Sequence, residues 1–165
     1  MKQSVFEEVL NDNKDKIFRI CRIYASAPIE PEDLFQEVTI HLWKAFPSFE
    51  QKSAANTWVY RIALNVCMRY KSKLQNHNEK TIRLESVQFD PPASTPDTIQ
   101  EEKYRALRSC MQELDEIDQS IVILTLDELS YKEISKITGL TENHVAVKMK
   151  RTRKALLHCI NHRLK

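Results

Sequence analysis

The chain has 165 residues, of which 42% are hydrophobic and 29% charged, with a net charge of +2, which allows one ordinary domain or two small ones. Its single glycine argues against sheet proteins, whose hairpin turns use glycine, and against enzymes with glycine-rich phosphate-binding loops. No stretch approaches the roughly 20 apolar residues of a membrane-spanning helix, so membrane insertion is not expected.

Apolar residues spaced three and four positions apart predict a first amphipathic helix. Its inward face would consist of Phe6, Leu10, Asn13, Ile17, Ile20, Cys21 and Tyr24. The segment 25–31 ends this helix, and Pro31 suits the first turn of a second helix that Pro47 terminates. The apolar face of the second helix consists of Leu34, Val38, Leu42 and Phe46.

A polar loop at 48–56 precedes a third predicted helix, and a segment without helical periodicity follows that helix. The apolar stripe of the third helix would consist of Trp58, Ile62, Val66 and Tyr70. Residues 75–97 contain Pro91, Pro92 and Pro96, and we interpret them as a flexible linker, with a surface loop inside one domain as the alternative. Extended, about 22 residues reach roughly 70 Å.

A second helical cluster follows the linker. Its first helix would bury Tyr104, Leu107, Met111 and Leu114, and Asp115 or Asp118 would cap a second helix with the apolar core 121–126. The sequence therefore predicts an all-α protein of two small helical domains.

The last two helices have strong boundary signals. Ser130 and Glu133 have the spacing of a capping box at the start of a short helix that carries Tyr131, Ile134 and Ile137. Gly139 is expected to end it in a left-handed conformation, and Thr141 to cap the final helix. The inward face of that final helix consists of Val145, Met149, Thr152 and Leu156.

This arrangement of a short helix, a turn and a long basic helix is typical of a helix-turn-helix, whose second helix enters the major groove of DNA. Residues 129–165 carry a net charge of +7, whereas residues 85–128 carry −8. The residues expected to reach base edges are Asn143, His144, Lys148 and Arg151, and those expected to neutralise phosphates are Lys150, Arg153 and Lys154. The alternative is a solvated basic face on a structural helix.

Aromatic and basic residues interleave between positions 46 and 73. Such a pattern can bind single-stranded nucleic acid, because aromatic rings stack on unpaired bases while cations hold the backbone. Alternatively, the aromatic rings belong to the core. The residues concerned are Phe46, Phe49, Trp58, Tyr60, Tyr70, Lys52, Arg61, Arg69, Lys71 and Lys73.

The cysteines and histidines predict neither a disulfide framework nor a metal site. Cys21, Cys67, Cys110 and Cys159 lie far apart, and the N-terminal segment lacks a signal-peptide pattern, so we expect reduced, buried thiols in a cytoplasmic protein. His158, Cys159 and His162 could approach a zinc ion, but no further ligand lies nearby in the sequence, and a frayed helix end is favoured. We expect no cofactor, metal or catalytic residues.

The run PEDLFQEVTIHLWKAF followed by NTWVYRIALN, together with LDEIDQSIVILTLDELSYKEISKITGLTENHVAVKMKRTRKAL, resembles the extracytoplasmic-function (ECF) sigma factors of bacterial RNA polymerase. The resemblance implies sigma region 2 over 1–75, a linker over 76–97 that threads through the polymerase, and a region 4 helix-turn-helix over 98–165. It also implies transcription initiation with promoter DNA melting, for a regulon that responds to stress or envelope signals. The implied partners are core RNA polymerase, through the clamp helices of its largest subunit and its flap, promoter DNA and an anti-sigma factor.

The resemblance assigns roles to individual residues. Docking on the clamp helices falls to Asp33, Gln36 and Glu37, and loop 48–56 would capture a base flipped from the minus-ten element. The minus-ten contacts would comprise Phe49, Lys52, Asn56, Arg61, Asn65, Arg69 and Lys73. The minus-thirty-five contacts would comprise the seven polar residues of the final helix named above. Three positions depart from the family pattern, namely Arg69 in place of a common aspartate, Asp115 after Leu114 in place of proline, and Ser135 in place of alanine. The rival hypothesis is a helix-turn-helix regulator that acts without docking on polymerase.

Overall fold

A computed structural model describes residues 2–49, 54–78 and 98–165 of the chain. Within these ranges the regular structure is entirely helical, which confirms the predicted all-α class. The elements are α1 (Lys2–Tyr24), α2 (Pro31–Ala45), a 3₁₀ turn (Phe46–Ser48), α3 (Ala55–Asn78), α4 (Thr98–Gln112), α5 (Glu116–Leu126), α6 (Tyr131–Thr138) and α7 (Glu142–Arg163). No helix within those limits is both long and apolar enough to cross a bilayer.

Helices α1, α2 and α3 pack on one another and form an N-terminal bundle. The predicted inward faces of α1 and α2 are confirmed, except that Leu10 is only partly buried and Phe46 lies in the 3₁₀ turn. Helix α2 begins as expected at Pro31, where the Asp33 carboxylate accepts a hydrogen bond from the Glu30 amide at 3.2 Å.

The predicted stripe on α3 was confirmed only in part, because its four residues belong to the core or pack against it but three of them are not fully buried. Trp58, Ile62 and Tyr70 are only partly buried, and of the predicted stripe Val66 alone is in the core. The helix contacts α1 and α2 on one side and α5 and α6 on another, so two neighbouring faces are covered. The buried residues of α3 are Val59, Tyr60, Ala63, Leu64, Val66 and Cys67. Helix α3 continues through Asn78, three residues beyond the predicted end of the N-terminal domain at residue 75.

Helices α4 to α7 form a C-terminal bundle in which α7 packs on the other three. The inward face of α7 is the predicted set of Val145, Met149, Thr152 and Leu156. The prediction for α4 was partly wrong, because Tyr104 is 60% exposed while α4 buries Ala106, Cys110 and Met111.

The predicted helix boundaries of the C-terminal bundle are confirmed by side-chain hydrogen bonds. Asp115, rather than Asp118, caps α5 by accepting from the Asp118 amide at 2.8 Å. In the capping box of α6, Ser130 Oγ accepts from the Glu133 amide and the Glu133 carboxylate accepts from the Ser130 amide. The latter bond lowers the pKa of Glu133. Gly139 has a φ of +79°, as predicted for the residue that ends α6.

Replacing Gly139 by alanine is expected to lower the free energy of unfolding by about 1–2 kcal/mol, which is the conformational cost of a left-handed alanine. A clash is not the cause, because a Cβ atom at this position would have no atom within 4 Å. Urea denaturation would measure the change. Glu128 provides the reverse control, because it is a non-glycine residue that already has a left-handed backbone, with a φ of 62°. Glu128→Gly should stabilise the chain or leave its stability unchanged, and equal destabilisation by both variants would contradict this explanation.

The expectation of four reduced thiols was wrong for one pair. Cys110 of α4 and Cys159 of α7 form a disulfide with a Cα–Cα distance of 6.0 Å. The two cysteines are 49 positions apart in the sequence, and this separation does not predict how close they lie in space. Their spatial distance is set by the packing of α4 on α7. Cys21 and Cys67 are free and buried, as predicted.

The two bundles also contact each other, chiefly through α1 with α4 and through α3 with α5 and α6. Most of the predicted linker, residues 79–97, lies outside the described residues. The basic outward side of α7 does not take part in these main contacts between the bundles.

Candidate nucleic-acid interface

The turn between α6 and α7 holds the long basic helix at a fixed angle to its support helix. Ser135 Oγ donates to the Leu140 carbonyl, and the Leu140 amide donates to Thr138 Oγ1 at 3.3 Å. Thr141 caps α7 by accepting from the His144 amide at 3.2 Å. The serine at position 135, where the family commonly has alanine, therefore bonds within the turn of the helix-turn-helix.

The outward side of α7 presents six of the seven residues predicted to contact minus-thirty-five DNA. The inward face of α7 is occupied by core residues, and most of the polar residues on its other side are exposed. This surface can lie along a groove of DNA with cations toward the phosphates. The exposed predicted residues are Asn143, His144, Lys150, Arg151, Arg153 and Lys154.

Lys148 differs from the other predicted residues of α7, because it is only partly exposed. Its Nζ atom lies 2.8 Å from Oδ1 of Asp118 on α5, and this hydrogen bond raises the pKa of Lys148. A contact between Lys148 and a base would require this ion pair to break. Arg151 has no such competitor among the contacts described and is the better candidate for reading a base.

The sequence-based prediction missed an apolar residue on the outward side of α7. Val147 is 41% exposed and lies one helical turn from Asn143 on one side and from Arg151 on the other. A valine side chain at this position can contact the methyl group of thymine in the major groove. The sequence could have identified Val147, because it is an apolar residue of the final helix that does not belong to the predicted inward face.

The exposed side of α3 carries most of the predicted minus-ten residues. Asn65, Arg69 and Lys73 follow one another at intervals of four along this side, and all three are exposed. Arg61 is also exposed, but its guanidinium donates to the Lys136 carbonyl of α6 at 2.6 Å. Asn56 is exposed in the first turn of α3.

A cluster of aromatic rings lies where the 3₁₀ turn meets α3. The Phe49 ring is 4.8 Å from that of Trp58, and Phe46 contacts both rings as well as Phe6. Phe49 and Trp58 are only partly buried, so part of their ring surface is open to a ligand. Residues 50–53 of the predicted base-capturing loop, including Lys52, lie outside the described residues.

The outward side of α2 carries the three residues predicted to dock on polymerase. Asp33 and Gln36 are exposed, whereas Glu37 is partly buried next to Tyr70, whose pKa is raised by burial and by Glu37. The sequence-based prediction missed Ile40 and Trp43, which are 45% and 49% exposed on the same side of the helix. This side of α2, the predicted docking side, therefore has an acidic half and an apolar half.

Over the described ranges, the His, Cys, Asp and Glu side chains form no group of three or more that could hold a metal ion. Of the three residues at the end of α7 that were considered and disfavoured as zinc ligands, Cys159 is occupied by the disulfide.

Comparison with known proteins identifies both halves of the chain. The family described as Sigma-70 region 2 matches residues 9–77, and the family described as Sigma-70, region 4 matches residues 104–156. The ECF RNA polymerase sigma factor SigW of Bacillus subtilis (strain 168) is 25% identical, over 93% of this chain and 88% of that protein. The ECF RNA polymerase sigma-E factor of Escherichia coli (strain K12) is 27% identical, over 75% of this chain and 70% of that protein.

Two solved structures share the fold. CnrH, solved in complex with the cytosolic domain of CnrY, is similar with a TM-score of 0.70 and 18% identity, over 97% of this chain and 90% of that one. The sigma factor RpoE from Bartonella quintana, solved with the anti-sigma factor NepR, gives the same TM-score and identity over 94% of this chain and 96% of that one. With two sigma-70 regions in order on one chain and ECF sigma factors as relatives over most of its length, this protein belongs to the ECF group of RNA polymerase sigma factors.

Proposed function

We propose that this chain binds core RNA polymerase and directs it to promoters through two separate DNA contacts. The observation that carries the proposal is the presence of two outward basic helices, α3 and α7, on two different bundles. In this proposal residues 1–75 act as region 2, residues 76–97 as the linker and residues 98–165 as region 4. The C-terminal bundle would also meet the polymerase flap.

The minus-ten element would be bound and melted by the N-terminal bundle. The partly open rings of Phe49 and Trp58 supply surfaces for an unpaired base, and stacking of this kind contributes roughly 1–3 kcal/mol per base. The remaining proposed contacts come from Lys52, Asn56, Arg61, Asn65, Arg69 and Lys73. Because Arg69 stands where the family commonly has aspartate, its contact would be with phosphate or a base acceptor.

Transcription with purified components tests the proposal. The chain should convert core RNA polymerase into an enzyme that produces run-off transcripts from a promoter mapped in the chain's own genome. Transcription that does not change when the chain is added would refute the proposal. Tight binding of a duplex by the chain alone, without core enzyme, would instead favour a regulator that acts without docking on polymerase.

The proposed setting is the cytoplasm, with an anti-sigma factor as the inhibitory partner and a regulon that responds to stress or envelope signals. The similar RpoE structure contains an anti-sigma factor, which supports this class of partner. Recovery of a protein with the chain from cells, followed by loss of run-off activity on adding that protein, would test it.

Arg151→Ala is expected to weaken promoter binding by the holoenzyme by about 1–3 kcal/mol and to relax specificity at one base pair of the minus-thirty-five element. Lys154→Ala is the matched control on the same exposed side of α7. It should weaken binding to all sequences equally and reduce the slope of affinity against salt by about 1. Binding assays on a set of single-base-pair variants at several salt concentrations would measure both effects. If Arg151→Ala weakens binding to all promoter sequences equally, Arg151 contacts phosphate rather than a base.

A further inference from the structure

A cavity of about 500 Å³ lies between α1 on one side and α4 and α5 on the other. Its floor is apolar, because Met111 and Ile123 of the core line it together with the partly buried Leu107. This volume falls within the range of small-molecule sites, which is about 300–1,000 Å³. None of the described residues that line the cavity belongs to the proposed contacts with DNA or polymerase. The cavity is therefore a separate candidate binding site.

The apolar surface continues out of this cavity along α4. A second cavity of about 600 Å³ shares Tyr104 and Leu107 with the first and reaches Ile99 in the first turn of the helix. The two cavities together are called the α4 groove. From Leu107 to Ile99 the groove follows α4 for about 12 Å, at about 1.5 Å per residue. Its elongated form suits an unbranched apolar chain.

The rim of the α4 groove exposes large apolar side chains to solvent. Ile99 is 70% exposed and Leu126 is 58% exposed, and Tyr104 also lies largely in solvent. Among the described residues, these are three of the four most exposed large apolar side chains. Contiguous apolar surface on a protein commonly marks a binding site. A ligand in the groove would cover all three side chains.

Two guanidinium groups at the groove have no carboxylate partner. Arg22 of α1 lies with its guanidinium carbon 5.3 Å from the centroid of the Phe18 ring, and Nη2 of Arg108 donates to the Arg22 carbonyl at 2.8 Å. Neither guanidinium forms an ion pair within residues 2–49, 54–78 and 98–165. Because a guanidinium group has five N–H donors, both can still donate hydrogen bonds to an added anion.

The carboxylates of the groove do not cancel this positive charge. Oδ1 of Asp127 lies 3.0 Å from Nη2 of Arg19, and its Oδ2 atom accepts from the Tyr60 hydroxyl at 2.7 Å, so this carboxylate is already paired. Glu128 is the other carboxylate in the lining. The lining therefore carries three guanidinium groups against two carboxylates, a balance of +1.

We propose that the α4 groove binds an anionic amphiphile, which is a small molecule with a carboxylate or phosphate group on an unbranched hydrocarbon chain. The anionic group would accept hydrogen bonds from Arg22 and Arg108. The chain would lie on Leu107, Tyr104 and Ile99. A simple inorganic anion would leave the apolar stripe uncovered, and an uncharged hydrocarbon would leave both guanidinium groups without a partner.

Isothermal titration calorimetry of the full chain, with each ligand below its micelle-forming concentration, tests the proposal. Decanoate should bind one site with a Kd on the order of 10–100 µM. Octanoate, which lacks two methylene groups, should bind about tenfold more weakly. Decan-1-ol has the same chain without the charge and should also bind at least about tenfold more weakly than decanoate. Decyl phosphate distinguishes a phosphate ester from a fatty carboxylate as the source, and tight binding of either supports the shared chemistry.

Substitutions separate the part of the site that holds the charge from the part that holds the chain. Arg22→Gln with Arg108→Gln should weaken decanoate binding at least about tenfold and leave the affinity for decan-1-ol unchanged. Tyr104→Ala should weaken the binding of both ligands. The matched control is Arg105→Gln with Lys132→Gln, which removes the same charge outside the groove and should not change either affinity. Circular dichroism should show wild-type helicity for every variant.

Three results would overturn the proposal. The first is equal affinity for decanoate and decan-1-ol, and the second is an equal loss of decanoate binding in the two charge variants. The third is the absence of binding by decanoate and decyl phosphate alike. If the chain then forms a concentration-dependent dimer that Tyr104→Ala disperses, a second copy of the chain covers the groove instead.

Discussion

Reversing the charges of Asp33 and Glu37 to lysine should lower the affinity of the chain for core RNA polymerase by at least about 100-fold, because the acidic half of the α2 docking side would become basic. Like charges facing each other across an interface cost several kcal/mol, which exceeds the value of most exposed ion pairs. Titration of fluorescently labelled core enzyme with each variant would measure the loss.

The matched control for this prediction lies on the neighbouring helix. Glu8 and Asp12 of α1 are both exposed and have the same spacing of four residues as Asp33 and Glu37. Reversing them changes the net charge by the same amount, and it should leave the affinity for core enzyme nearly unchanged. Asp33 also caps α2, so a loss of roughly 1 kcal/mol in stability is expected and thermal unfolding should accompany the titration. Equal affinity losses in both double variants would show that total charge matters rather than the α2 surface.

Local signals in the sequence predicted the helix-turn-helix well. The capping box of Ser130 and Glu133, the left-handed Gly139 and the Thr141 cap each depend on residues within about four positions of one another. The inward face of α7 followed from the same short-range periodicity, and it correctly left the basic residues outside. Where a helix has one covered side, its sequence pattern is sufficient to identify that side.

Contacts between distant parts of the chain could not be predicted in this way. Helix α3 is covered on two sides, so the predicted stripe missed most of its fully buried residues and included Trp58, Ile62 and Tyr70, which are only partly buried against the core. The ion pair of Asp127 with Arg19 joins residues 108 positions apart, and its bond with Tyr60 joins residues 67 apart. No periodicity indicates such pairs. The sequence pattern likewise did not indicate the ion pair between Lys148 and Asp118. From the sequence, Lys148 and Arg151 were both expected to reach base edges.

The disulfide between Cys110 and Cys159 is expected to add about 2–4 kcal/mol to the free energy of unfolding, because it closes a chain segment with a separation of 49 positions. The link restricts the unfolded chain, whereas in the folded chain it joins two helices, α4 and α7, that already pack together. Urea denaturation with and without a phosphine reductant would measure the contribution. Reduction should lower the unfolding midpoint by roughly 1–2 M.

A variant without this cysteine pair distinguishes the effect of breaking the disulfide from any other effect of the reductant on stability. Cys110→Ser with Cys159→Ser should unfold at a lower urea concentration than the oxidised wild type and should not respond to reductant, although it retains the buried free thiols Cys21 and Cys67. Four titratable thiols in the unreduced, denatured wild type would contradict the disulfide. Disulfides in reducing compartments are usually transient or redox-sensing. In the proposed cytoplasmic setting, the stability of the C-terminal bundle would therefore depend on the redox state of this pair.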